Sequence, residues 1–350
     1  MKPNNRVVEL INAKIAENQQ VGFKDPNEWC VPPHKFAGNS RRRYIGASQI
    51  GGSCRRQPWY QFHWCIPQID FDPRVLRLFD RGHREEQRMI GYLRLIDVHV
   101  EEYDPATIPS LWHHPESDDY LALLPHEITD DIASACLDVS GRFDEWIARG
   151  RGIEIPEPRQ FGYIDLDGHH AGHCDGRARG IPDYHLWGLT PDEWALLEFK
   201  THNDRSFQDT SNRGVKVGKP DHYSQVQRYM HKIGMRLCLY MAVNKNDDDL
   251  YCEYIPIDPD HDIRLTVRAK ESIYETKPPP RISTSPSWYE CRWCDARPQC
   301  HYGAPHSKNC RSCDQSMPIT DGRWGCQRWQ KVIPLDFEEV GCGYWHQRDD

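Results

Sequence analysis

The chain has 350 residues, a formal net charge of −8, and 38% hydrophobic and 27% charged residues. This suits a loop-rich globular protein of one large domain plus a small one, or two medium domains. It lacks any apolar run of membrane-spanning length, and it is no uniformly basic coat for nucleic acid, although local patches can still grip a few phosphates.

The first segment, MKPNNRVVELINAKIAENQQ, lacks the apolar core of a signal peptide and reads as an amphipathic helix over 6–18. Fourteen cysteines without an export signal point to metal ligation in a reducing, cytoplasmic setting rather than to a disulfide framework. A Pro- and Gly-containing connector runs to about Gly38, followed by RRRYIGASQIGGSCRRQPWYQFHW, a basic and aromatic segment around Cys54. Helical spacing of Val75, Leu78, Phe79, Met89, Ile90 and Leu93 predicts a long helix over 74–96, which carries Gly82 and Glu86. A strand is expected over 98–105, a variable loop with some helix over 106–136, and further strands over 138–147 and 161–180, the last pair turning at Asp167-Gly168.

The stretch from Gly172 to Lys200 organises the rest. It reads as two strands, 173–180 and 194–200, joined by turn formers including Pro182, Gly188, Pro191 and Asp192. Alternation puts Glu198 and Lys200 on one face and Phe199 toward the core, and strand pairing can bring Asp175 beside them. Two carboxylates make an oxygen site for Mg²⁺ or Mn²⁺, and a lysine beside them can orient a water for phosphodiester hydrolysis. Taken alone, the pattern fits an edge hairpin with solvated charges better than a reaction centre. A polar loop expected to order on substrate follows over 201–220, then a helix over 221–234 with Gln225 and Tyr229 on one face, a strand pair over 237–245 and 250–257, and a helix over 260–276. A proline-rich connector leads to residues 291–350, where little secondary structure and no hydrophobic core are expected. There Cys310-x-x-Cys313, Cys326 and Cys342 form a zinc signal, with His346 as a substitute ligand.

Gly82-x-x-x-Glu86, Asp175, Glu198-Phe199-Lys200 and Gln225-x-x-x-Tyr229, in that order, resemble the motifs of the PD-(D/E)XK nuclease superfamily over residues 40–302. The likeness is to its RecB-like branch, which includes viral (phage) recombination exonucleases and iron–sulfur exonucleases associated with CRISPR systems. It implies an α/β, restriction-endonuclease-like core with a mixed central sheet flanked by helices, followed by a small zinc-ribbon-like module. Three divisions follow: 1–38, 39–302 and 303–350.

By the same resemblance Asp175, Glu198, the Phe199 carbonyl and Glu86 hold Mg²⁺ or Mn²⁺, Lys200 positions the attacking water, and Gln225 and Tyr229 orient the lysine and the DNA strand. Cys291-x-x-Cys294-x5-Cys300 with the distant Cys54 resembles the [4Fe–4S] arrangement of that branch; thiolate spacing alone suits Zn²⁺ equally, and Cys65 is the rival fourth ligand.

The implied activity is metal-dependent DNA exonuclease action in recombination, repair or replication, phage-encoded and working in the host cytoplasm beside an annealing or recombination protein. The alternatives are a structure-specific endonuclease, a CRISPR-adaptation trimming enzyme, and a DNA-end-binding scaffold with a vestigial site. Basic groups at Arg41–Arg43, Arg55–Arg56 and Arg213, Lys216 and Lys219 are candidate phosphate contacts, each of which taken alone reads better as a solvated surface run. The aromatics beside Cys54 read more readily as core packing around the cluster than as a stacking platform for bases, with Tyr60 and Arg55 the residues that reach DNA in the second reading.

Overall fold

In the computed structural model, which describes residues 5–19, 41–68, 73–140 and 142–349, five strands form a central mixed sheet. They are His99–Glu101 (β1), Gly176–Arg179 (β2), Ala195–His202 (β3), Leu237–Asn244 (β4) and Leu250–Pro256 (β5), in the order β5-β4-β3-β2-β1. β3 and β4 run parallel and every other neighbouring pair is antiparallel. All eight residues of β4 are buried, as a strand covered on both faces requires.

Alternation then sorts the side chains. Leu197, Phe199, Leu239 and Met241 face one side, where helices Asn5–Gln19 (α1) and Pro73–Leu95 (α3, with α2 at Arg56–Phe62) contribute Val7, Ile11, Met89, Ile90 and Leu93. Leu196, Cys238, Tyr240 and Ala242 face the other side, against Val226, Tyr229 and Met230 of helix Pro220–Ile233 (α4). Each fully buried aliphatic side chain contributes about 1.5–3 kcal/mol through lost water contact. α4 stops at Gly234, and helix Pro259–Tyr274 (α5) packs beside it.

A second sheet joins Ile45–Gly46, His170–His173 and Gly162–Asp165. The last two strands make the hairpin expected at Asp167-Gly168. Strand 173–180, however, is not continuous: it breaks at Cys174–Asp175, passing from this small sheet into β2.

Three other expectations are corrected. Residues 106–136 hold a hairpin, Ser110–His114 with Asp119–Leu123, before the short helix Asp130–Ala135. Residues 142–150 are helical rather than a strand, and Ala148 seats against Leu111 and Tyr120. The polar segment after Lys200 forms helices Asp204–Arg213 and Val215–Gly218, because Asn203 caps the first, Phe207 and Val215 find buried sites, and Glu253 accepts the Val215 N–H at 2.7 Å. The connector over 20–38 lies outside the described residues.

The C-terminal segment builds a three-stranded antiparallel sheet from Ser316–Pro318, Trp324–Cys326 and Lys331–Val332. It does not lack a core but shares one: Trp324 and Ile333 are buried with Ile45, Ile50, Phe62 and Leu265. Arg311 and Glu338 form a completely buried ion pair at 2.8 Å, and the Arg311 guanidinium lies 4.0 Å from the Trp64 ring centroid. The aromatics around Cys54 are spent in this packing. Trp59 and Tyr60 are fully buried, and Tyr60 accepts from Arg56 at 3.0 Å, so Tyr60 is no DNA contact; Arg55 pairs with Glu271.

A second buried cation ties small sheet, α4 and α5 together. Arg228, fully buried, donates to both Asp262 oxygens at 2.9 and 3.0 Å, to Asp165 at 2.8 Å and to Thr266 at 2.7 Å. Truncating it strands the buried Asp262 charge, so Arg228→Ala is expected to lose about 3–5 kcal/mol of stability, read as a lower urea midpoint; a loss within experimental error contradicts this role.

Candidate active site

The break between the two sheets delivers Asp175. Gly176 follows it with φ of +152°, and a Cβ there would lie 2.8 Å from the Glu101 carbonyl oxygen, so glycine alone permits the turn. Because Gly176 pairs with Leu197, Asp175 falls opposite Glu198, and its Oδ2 accepts the Phe199 N–H at 2.7 Å.

Glu198 is completely buried; Oε1 accepts from Lys200 Nζ, while Oε2 is buried with no hydrogen-bond partner. A buried carboxylate oxygen left so is costly unless a cation neutralises it. Phe199, between the two, is buried in the opposite core.

Glu86 reaches the same centre from α3. Burial, reinforced by the charges of Asp175 and Glu198 and opposed by Lys200, pushes its carboxyl up to about 8. Burial likewise raises Glu198 to about 7, against the pull of Lys200 and with Asp175 adding to the rise. Burial would lower the Lys200 ammonium, but Glu198, Asp175 and Glu86 together hold it above its ordinary range. Glu85, beside Glu86, is instead turned onto Arg88 at 2.9 and 3.0 Å.

From α4, Gln225 Nε2 donates to the Tyr229 hydroxyl at 3.2 Å. Burial, with the charges of Glu198 and Asp175, raises the Tyr229 hydroxyl. The ring fits only because residue 172 is glycine: a Cβ there would meet Tyr229 Cε1 at 2.5 Å. Thus Glu86, Asp175, Glu198, Lys200 and Tyr229 share one electrostatic neighbourhood, and Gln225 is bonded into it.

Four neighbours escaped the sequence reading. His202 Nε2 lies 3.0 Å from the Tyr240 hydroxyl, which lies 2.9 Å from His222 Nδ1, while His202 Nδ1 meets Ser206 Oγ at 2.7 Å. Burial, with Lys219 and Lys200, lowers His202 to about 4; burial, with Lys200, His202 and Lys219, lowers His222 to about 2. Both imidazoles are therefore neutral and available for hydrogen bonding near Lys200. The signal was present: His202 continues the Glu198-x-Lys200 alternation on the same strand face.

Cys54, Cys291, Cys294 and Cys300 line one cavity of about 330 Å³, with Arg56, Arg281 and Arg297 among its walls. Burial raises the Cys291 and Cys294 thiols, the latter to about 11, and Cys54 and Cys300 add to both shifts. Cys65 is not among the residues lining this cavity; it is buried in a core cluster against which Cys294 and Cys300 pack. In the C-terminal segment burial lifts Cys310 to about 11, and Cys342, Cys313 and Cys326 are close enough to add to the rise; His346 is exposed. Among the described residues no group of three or more His, Cys, Asp or Glu side chains stands ready-made to hold a metal ion. No described helix is long and apolar enough to cross a membrane.

No family model and no curated protein matches the chain. Among solved structures, LHK-Exo in complex with dAMP is similar over 67% of this chain and 88% of that one, at 12% identity and a TM-score of 0.35. The alkaline exonuclease LHK-Exo from Laribacter hongkongensis is similar over 70% and 90%, at 16% identity and a TM-score of 0.35. At such scores the function has to be read from the side chains themselves.

The raised carboxyls carry a pH signature. In the unfolded chain Glu86 and Glu198 titrate near 4.5; folded, near 8 and 7. Between these values the folded state holds more protons, so their contribution to stability falls as pH rises from 4.5 to 8. His202 and His222, with depressed values, give the opposite slope below 6.5, so the readout is the difference between wild type and Glu198→Gln. Without divalent cation, the variant is expected to gain thermal stability over wild type as pH rises from 5 to 8, and added Mg²⁺ to shrink that gain. A pH-independent difference contradicts the assignment.

Proposed function

We propose that this chain is a divalent-cation-dependent DNA nuclease whose reaction centre is Asp175, Glu198, Lys200 and Glu86. The observation that carries the reading is Glu198, wholly buried with one oxygen on Lys200 and the other without a partner, directly across from Asp175. Mg²⁺ or Mn²⁺ fits this oxygen-rich donor set, held by Asp175, Glu198 and the Phe199 carbonyl with Glu86 completing the site. When bound, such an ion supplies charge to the scissile phosphate and acidity to the attacking water.

The chain's own residues do the remainder. Glu198 fixes the Lys200 ammonium, which stays charged, donates to the attacking oxygen and stabilises negative charge as it develops. Asp175, anchored by the Phe199 N–H, holds its carboxylate in one orientation. Gln225 and Tyr229 orient the lysine and the strand from α4, and neutral His202 and His222 keep that region free of competing positive charge.

Exonuclease action on DNA ends, and a recombination, repair or replication role in a phage beside an annealing protein, are finer parts of the proposal and rest on the motif resemblance. The four thiols around one cavity suit a [4Fe–4S] cluster, with Zn²⁺ as the second candidate, and Cys310, Cys313, Cys326 and Cys342 suit Zn²⁺ in a small structural module. Their proximity supports this: Cys54 and Cys300 lie close enough to Cys291 and Cys294 to add to the rise that burial gives those thiols, and Cys342, Cys313 and Cys326 do the same for Cys310.

Asp175→Ala and Lys200→Ala are expected to reduce cleavage of linear DNA by on the order of 10²–10³-fold, while leaving DNA binding largely intact. Undiminished cleavage in either variant contradicts the site. Degradation of linear DNA with closed circles spared identifies an exonuclease; cleavage of circles identifies the endonuclease alternative.

For the thiols, iron, sulfide and zinc analysis after anaerobic purification is expected to give about four irons and one zinc. Cys294→Ser should lose the iron and retain the zinc, whereas about two zincs and no iron would replace the cluster by a second zinc.

A further inference from the structure

The aromatics beside Cys54 are buried, but a different set is not. Trp293 is 80% exposed, Tyr289 66%, Tyr302 60% and Trp288 45%. All belong to residues 288–302, around the cavity lined by the four cysteines, and Tyr289 and Trp293 stand in its wall. Leaving so many large rings in water forgoes burial worth more than most of the fold's individual contacts, and they are attached to a segment that is otherwise well packed: Cys291, Ala296 and Gln299 are buried.

Each of two rings is backed by a guanidinium. Arg292 lies 5.1 Å from the Trp293 centroid, and Arg297 lies 5.5 Å from that of Tyr302 while donating to its hydroxyl at 3.2 Å. Arg281 and Arg297, with Arg56, stand in the cavity wall. The nearby carboxylates are Glu290 and Asp295, and Glu290 already accepts from Ser53 and from Tyr289. The rim therefore offers ring faces for flat apolar groups and fork-shaped donors for anions, side by side.

We propose that the rim formed by Tyr289, Trp293 and Tyr302 with Arg281, Arg292 and Arg297 binds single-stranded DNA, the rings stacking on bases and the arginines meeting the flanking phosphates. This deepens the nuclease reading and rests on it. Base faces are accessible only in an unpaired strand, since a duplex hides them in its own stack, so the rim distinguishes strand from duplex without reading sequence. The cation–π pairs hold Trp293 and Tyr302 in place before a base arrives, which lowers the entropy lost on binding.

The test is fluorescence anisotropy with a labelled 20-nucleotide oligothymidylate and a blunt duplex, with Ca²⁺ replacing Mg²⁺ so that binding is read without cleavage. The Trp293→Ala/Tyr302→Ala double variant is expected to lose oligothymidylate affinity by on the order of tenfold per ring, with duplex affinity unchanged. Trp293→Phe, which keeps a ring, is expected to retain most of the affinity, separating lost stacking from lost folding. Arg292→Gln is expected to reduce the slope of log affinity against log salt by about 0.7.

Equal oligothymidylate affinity in wild type and double variant overturns the rim while leaving the nuclease intact, because duplex cleavage and its loss in Asp175→Ala are measured separately. Equal losses on strand and duplex also overturn it. A wild-type chain that neither binds nor cleaves DNA removes the nuclease reading and the rim together.

Discussion

The structure turns on one expensive placement: a glutamate with no exposure to solvent in the middle strand of the central sheet. Glu198 is buried because β3 is covered on both faces, and only one of its oxygens is answered from within the protein. An apolar residue there would pack without penalty, so the position costs stability in return for fixed charge. The surroundings follow from that cost. Lys200 is held protonated, Asp175 is brought across by a strand break, and Glu86 is pushed toward its neutral form. Buried acids gathered with a lysine at one point of the fold mark a functional site, and the proposed phosphodiester hydrolysis uses that chemistry.

The supporting architecture is built from buried cations rather than surface pairs. Arg228 binds the small sheet, α4 and α5 through Asp165, Asp262 and Thr266, which holds the helix carrying Gln225 and Tyr229 against the sheet that delivers Asp175. Arg311 performs the equivalent task for the C-terminal segment, paired with Glu338 and roofed by Trp64 and Trp324. Exposed pairs are worth little, but a buried guanidinium with several acceptors punishes any displacement of the elements it joins.

Legibility in the sequence followed the range of the interaction. Strand alternation is local, so the shared face of Glu198 and Lys200 and the core-facing Phe199 could be read from spacing, as could the helices of Glu86 and of Gln225 and Tyr229. The Asp175 break could not, because Gly176 is required by a carbonyl of β1 some seventy-five residues earlier. The segment after Lys200 looked like a loop because its helices are short and polar, and their stability comes from the Asn203 cap and from Glu253 on a distant strand. Composition made the C-terminal segment look coreless, yet its Trp324 completes a core begun by Ile45 and Phe62. His202 shares the strand face of Glu198 and Lys200 by the same alternation, but its partner Tyr240 lies on the neighbouring strand, which spacing along one strand does not reveal.

The central claim is tested most directly by soaking crystals of the protein in Mn²⁺ and mapping its anomalous scattering. The account predicts a peak bounded by Asp175, Glu198 and the Phe199 carbonyl, within about 2.5 Å of each oxygen, and its disappearance in Glu198→Gln. Manganese bound elsewhere, with that site vacant in a preparation that still cleaves DNA, would contradict it.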